Sequence, residues 1–200
     1  MILKGKLFYI EIIEKERDDN VKSKREYALI PGLIILGIAL GVFAKAGDVS
    51  IQGSVWGNIL YSFGTVSTGI FIWVAICTVI AILSKSKLLA GINVFLFLTV
   101  MILAYYLYSY FVVGYFVWRI VKFWLIMLIP ATVSGFIIWN IKTNRVLKYT
   151  VIVLGTVIMI FDMFILQGAL PIAMIMDVIL YVVFLVFILS KRFNKTLLNK

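Results

Sequence analysis

The chain has 200 residues, of which 64% are hydrophobic and 14% charged, with 19 Lys and Arg against 9 Asp and Glu and a formal net charge of +10. So few charges cannot cover a water-soluble surface, which excludes a soluble globular enzyme, a disordered chain and a coiled coil and indicates a membrane protein. The absence of histidine removes imidazole acid-base catalysis, His-containing metal sites and a Ser-His-Asp triad, and the lone Cys77 cannot form an intrachain disulfide.

Residues 1–26 carry seven of the basic residues and no apolar run long enough for a signal peptide, so they are expected to remain as a cytoplasmic tail. Ile2, Leu3, Leu7, Phe8, Ile10 and Ile13 fit one side of a short interfacial helix; a flexible charged tail fits equally well. From there, a hydrocarbon core about 30 Å thick calls for about 20 apolar residues per helix. Six runs meet that length, at 27–46, 58–83, 88–113, 120–139, 149–166 and 172–190. None shows the period-2 alternation of a barrel strand, so the expected fold class is all-α, one six-helix transmembrane domain over 27–190 with a basic tail at 191–200.

Sixteen basic residues fall on one side of these spans, and only Lys45, Arg119 and Lys122 on the other. The positive-inside rule then puts both termini in the cytoplasm and the protein in a cell membrane.

Within the spans, Gly37 and Gly41 form a Gly-x-x-x-Gly pair suited to close helix packing, chiefly inside the bundle. Pro130 falls mid-span, where it frees the carbonyl of Ile126 and predicts a kink, more simply a static one than a moving hinge. Two acids are less ordinary. Asp162 and Asp177 lie about 6 to 8 Å below the same boundary at 1.5 Å per residue, and a carboxylate in hydrocarbon normally faces the bundle interior. They share stripes with Gly155 and Met159, and with Ala173 and Tyr181, as a close seam requires. Asn58, Ser62, Thr65, Tyr105, Tyr106 and Lys122 collect in the same outer half, a pattern expected of an outward-facing polar cavity. The alternative is an interfacial tyrosine belt, with hydroxyls bonded to their own helices and Lys122 reaching to headgroups. If both aspartates are buried, one is protonated, a cation sits between them, or Lys122 pairs with them. The Tyr-Asp and Gly-x-Gly-Asp sequences of intramembrane aspartyl proteases are absent, since the flanks read Phe161-Asp162 and Met176-Asp177.

The strings QGSVWGNILYSFGT, SKSKLLAGINVFLF and AYYLYSYF, within residues 47–111, resemble a group of small multi-pass bacterial membrane proteins without an assigned activity. In architecture the chain also resembles the six-helix substrate-binding components of energy-coupling factor vitamin transporters. That resemblance implies a small-residue motif in the first helix, here Gly37 and Gly41 in place of alanines, and a ligand-proximal first loop, here 45–57.

The sequence therefore leads to a non-enzymatic bacterial membrane protein with no cofactor and no metal. Its expected role is solute binding or transport, the alternative being an accessory or regulatory subunit packed against another membrane protein. The expected partners are the lipid bilayer, a small solute or cation, and a membrane-protein partner or second copy; nucleic acid is not among them. In a Cys77→Ala background, single cysteines at Ser54 and Gly168 should label with an impermeant reagent in intact cells. Cysteines at Ser86 and Asn144 should not, and their labelling would overturn the six-span topology.

Overall fold

The computed structural model describes residues 29–51, 53–166 and 171–190, and every regular element among them is helical. The expected interfacial stripe between Ile2 and Ile13 and both terminal tails lie outside the described residues. The helices are α1 (Ile30–Asp48), α2 (Val55–Thr68), α3 (Ile70–Leu83), α4 (Lys87–Tyr108), α5 (Trp118–Ile138), α6 (Arg145–Phe161) and α7 (Pro171–Leu189). Short π-helical turns extend α4 through Ser109–Val113 and α6 through Asp162–Leu166, and a 3-10 turn, Trp139–Lys142, follows α5. Five of these helices are long and apolar enough to cross a membrane. A sixth span results if α2 and α3 are counted as one.

The expected span 58–83 is where structure and expectation part. α2 and α3 meet at 61°, broken at Gly69, whose extended backbone belongs to neither helix. No proline forces this. The last turn of α2 carries Ser67 and Thr68, and the Thr68 hydroxyl bonds back to Gly64 O and Thr65 O, each at 3.1 Å. Such bonds loosen a helix terminus that glycine then ends. The other expected spans shift by only a few residues, and α1 runs on to bring Asp48 into its last turn. α5 continues through Pro130 as a single helix. At the far end of α4, Gly114 takes a φ of +77°, the left-handed turn that a side chain would oppose.

Helix α4 is the centre of one group, packed on α1, α3 and α5, while α6 and α7 form a second group. α3 joins them. Its Ile80 and Ala81 enter the cluster of Val94, Phe97, Met101 and Leu128; its Phe71 and Ile82 enter that of Val151, Phe184 and Ile188; its Ile72 meets Val66 and Ala173.

The closest helix approaches use glycine. A Cβ at Gly37 would stand 3.1 Å from Phe97 O, and one at Gly41 would stand 2.9 Å from Ala104 Cβ, so the Gly-x-x-x-Gly face is turned onto α4. Nearer the end of α1, the backbones of α1 and α2 touch at Gly47 and Gly64. Gly32, by contrast, has open space around it. Gly41→Leu should therefore lower stability in detergent by about 1–3 kcal/mol through overpacking. Gly32→Leu should leave the melting temperature unchanged, and equal effects would show that the α1–α4 seam does not depend on close approach.

Candidate functional site

The break at Gly69 leaves helix ends in the interior of the bundle, where unpaired amides and carbonyls are costly. Three separate groups meet them. The Asp162 carboxylate accepts from Ile70 N at 3.1 Å through Oδ1 and from Phe71 N through Oδ2, capping the start of α3 from another helix. Trp73 Nε1 donates to Ser67 O at 2.9 Å, and Gly69 N donates to Val66 O at 3.1 Å, closing the end of α2. Gly69 also makes room for the cap, because a Cβ there would stand 3.0 Å from Asp162 Oδ2. The carboxylate sits where a helix N-terminus is most favourable to negative charge, and its side chain is fully buried.

Phe71 is locked beside this cap. Its ring packs at 5.9 Å against both Tyr181 and Phe184 of α7. Gly155 of α6 lies against Phe184, and the Thr156 and Tyr181 hydroxyls bond across the α6–α7 seam. Of the residues on the aspartates' stripes, Gly155 thus lies against Phe184 and Tyr181 bonds Thr156, while Ala173 packs with Val66 and Ile72. Asp177 is 1% exposed on α7, which packs along α2, α3 and α6.

The remaining expected residues are arranged differently from an open polar cavity. Ser62 donates to Asn58 O at 2.8 Å and Thr65 to Tyr61 O at 2.9 Å, each within its own helix. Asn58 is exposed, and its Oδ1 accepts from Gly53 N at 3.2 Å in the preceding loop. Lys122 is exposed on α5, a helix seated mainly on α4 and α3, while the aspartates are buried on the side of α6 and α7. Tyr105 and Tyr106 contact each other edge to face at 5.1 Å. Tyr105 turns to a partner that the sequence did not single out: its hydroxyl donates to Asp48 Oδ2, with Lys45 Nζ 3.4 Å from the same hydroxyl and 4.0 Å from the carboxylate. The signal was the i, i+3 spacing of Lys45 and Asp48 at the end of α1.

A second unanticipated cluster lies at the opposite end of the bundle. Ser84 O, at the end of α3, accepts from Lys142 Nζ at 2.7 Å and from Trp139 Nε1 at 3.1 Å, and Lys142 stands 5.0 Å over the Trp139 ring. Asn93 Nδ2 donates to Ser84 Oγ at 3.0 Å, while Asn93 Oδ1, buried, has no partner among the described residues. This cluster ties the α3–α4 connection to the α5–α6 connection.

Between α5 and α6, with α3 as its floor, runs a cleft of about 470 Å³. It is apolar: Trp73 and Trp124 stack at 5.0 Å in its wall, and Ser134 and Thr150, also on the lining, donate to Pro130 O and Val146 O of their own helices. Ile70, whose amide Asp162 caps, lines it too. Among the described residues no three Cys, Asp or Glu side chains gather as a metal site would require.

Comparison of the chain with family models, with curated proteins and with solved structures finds no match.

The cap makes a quantitative prediction. Asp162→Ala leaves two buried amides without an acceptor, at about 1–3 kcal/mol each, and should lower the melting temperature strongly. Asp162→Asn keeps one acceptor oxygen and should lose about half as much. Equal, small losses in thermal melts of both variants would mean that Asp162 does not hold the break.

Proposed function

We propose that this is a transport-related protein of the cell membrane that binds or passes a solute at the broken α2–α3 span. The reading takes the six-span topology with both termini cytoplasmic. The break then belongs to the second span, and the ends of α1 and α2 that carry Asp48 and Asn58 face outward. One observation carries it: a membrane helix interrupted at Gly69, with its inner end held by the carboxylate of a different helix. Discontinuous spans of this kind supply the binding sites of secondary carriers, since helix termini there present amides and carbonyls at membrane depth. Asp162 acts as the latch of that joint. Neutralising or displacing it by a proton, a cation or a solute frees the amides of Ile70 and Phe71 to be met by something else. Because such a latch must change partners for transport to occur, the joint supports a carrier better than a purely structural subunit.

The test uses single cysteines at Thr65 and Thr68, beside the break, and at Ile76 and Ile80, further along α3, in a Cys77→Ala background. Small hydrophilic thiol reagents added from outside should modify the first pair and not the second. Asp162→Asn should raise the rate at Thr68 by severalfold. Inertness of all four cysteines, with Asp162→Asn changing none of them, would remove the carrier reading and favour an accessory protein packed against another membrane component.

A further inference from the structure

We infer that the connection between α4 and α5, residues 109–118, is a membrane-surface anchor, its rings set into the lipid headgroup layer at the end of the bundle opposite Ser84. The inference rests neither on the broken span nor on which way the bundle faces across the membrane.

The ten residues read SYFVVGYFVW: five aromatic rings, three valines, one serine and one glycine. No charge occurs between Lys87 and Arg119, whereas the connections at the other end of the bundle carry Lys85, Lys87, Lys142 and Arg145. A connection between helices is ordinarily polar and faces water. Here Phe111 is 75% exposed and Tyr115 68%, with Tyr110, Val112 and Trp118 exposed around them. A contiguous apolar surface of this kind marks a place of interaction.

Depth determines what covers it. With the exposed Lys87 taken as one boundary, about 20 residues at 1.5 Å each cross a hydrocarbon core about 30 Å thick and bring α4 to Leu107. The five π-helical residues that follow add about 7 Å, close to the thickness of one headgroup layer. There the chain turns back. Gly114 takes its left-handed φ of +77°, Tyr115 N donates to Ser109 O at 3.3 Å, and α5 begins at Trp118. The connection therefore ends within the headgroups, and a tilt of α4 lowers it further.

The rings are held in place from beneath. Phe116, half-buried, packs against Tyr106 at 6.2 Å, Tyr110 at 6.0 Å and Trp118 at 5.3 Å. Tyrosine and tryptophan, with an apolar body and a polar tip, are the side chains favoured at headgroup level. Arg119, exposed directly after Trp118, adds a cation where lipid phosphates lie. A covering protein would meet a less suitable surface, because helices associate in lipid through small residues. Of the two small residues in this segment, Ser109 is buried and Gly114 is committed to the turn.

The test places a nitroxide on single cysteines at Phe111, Val112, Tyr115, Ile129 and Asn144 of the full chain, in a Cys77→Ala background, reconstituted in dioleoyl phosphatidylcholine vesicles. Collision rates are read against oxygen, which partitions into hydrocarbon, and against a water-soluble nickel chelate present on both sides of the membrane. The oxygen-to-nickel ratio at Phe111 and Tyr115 should lie severalfold above that at Asn144, exposed in a polar connection, and severalfold below that at Ile129, exposed midway along α5. Phe111→Asp together with Tyr115→Asp should bring the ratio at Val112 down to the Asn144 value and leave the melting temperature in detergent unchanged, since both side chains are exposed. If that double variant does not fold, Tyr115→Asp alone is read in the same way. Ratios at Phe111 and Tyr115 equal to that of either reference position overturn the proposal. Low collision rates with both reagents overturn it in favour of a second copy, or another part of the chain, lying over these rings. An unmoved ratio at Val112 in the Asp variant also overturns it, because the rings would then not hold the segment at its depth.

Discussion

In a hydrocarbon medium every backbone amide and carbonyl must find a partner within the protein, and a helix interrupted inside its span violates that condition twice, once at each new end. Here the two ends are met by side chains from different places: the indole of Trp73 reaches back to Ser67 O, and the carboxylate of Asp162 crosses from α6 to the first amides of α3. The arrangement of the remaining helices follows from this. α6 must lie beside the break for Asp162 to reach it, and α7 must lie beside α6 for Phe71, Tyr181 and Phe184 to close over the capped turn. The redirected α3 then becomes the element that all three hydrophobic clusters share.

The bundle is consequently uneven. On the α1–α4 side, where helices are continuous, cohesion comes from backbones drawn together at Gly37, Gly41, Gly47 and Gly64. Dispersion forces between closely packed surfaces are the main attraction available once water is absent. On the α6–α7 side large rings and a buried carboxylate do that work. α5 belongs to the first side and α6 to the second, and where the two sides part the bundle leaves the cleft over α3.

The sequence made the helical class legible, and five apolar membrane-length helices with a bent sixth pair are what the structure contains, because length and hydropathy are local properties. It also marked Gly37 and Gly41 as a packing face, which α4 covers. What it could not disclose is long-range. Asp162 was singled out for its charge, yet its partners are backbone atoms more than ninety residues away, and backbone atoms leave no mark in a sequence. The break was hidden because Gly69 stands in an otherwise unbroken apolar run, with only Ser67, Thr68 and the glycine itself as a signal. Asp48 was missed because the first span was ended two residues too early. Ser62 and Thr65, read as candidates for a shared cavity, illustrate an ambiguity that spacing alone leaves open, since a hydroxyl four residues after a carbonyl serves its own helix as readily as a ligand.

The distribution of charge gives the molecule its polarity. Of the acids in the described residues, Asp48 is engaged by Tyr105 and Lys45, Asp162 by the amides of α3, and Asp177 is buried on α7. None of the three is an exposed counter-charge for the cations clustered at the Arg145 end of the helices. The other six acids of the sequence, Glu11, Glu14, Glu16, Asp18, Asp19 and Glu26, lie outside the described residues. The same helix, α3, begins at a carboxylate that reaches over from the end of α6 and ends at Ser84, whose carbonyl is held by Lys142 and Trp139 from the α5–α6 connection, so both of its ends are fixed by side chains of other segments.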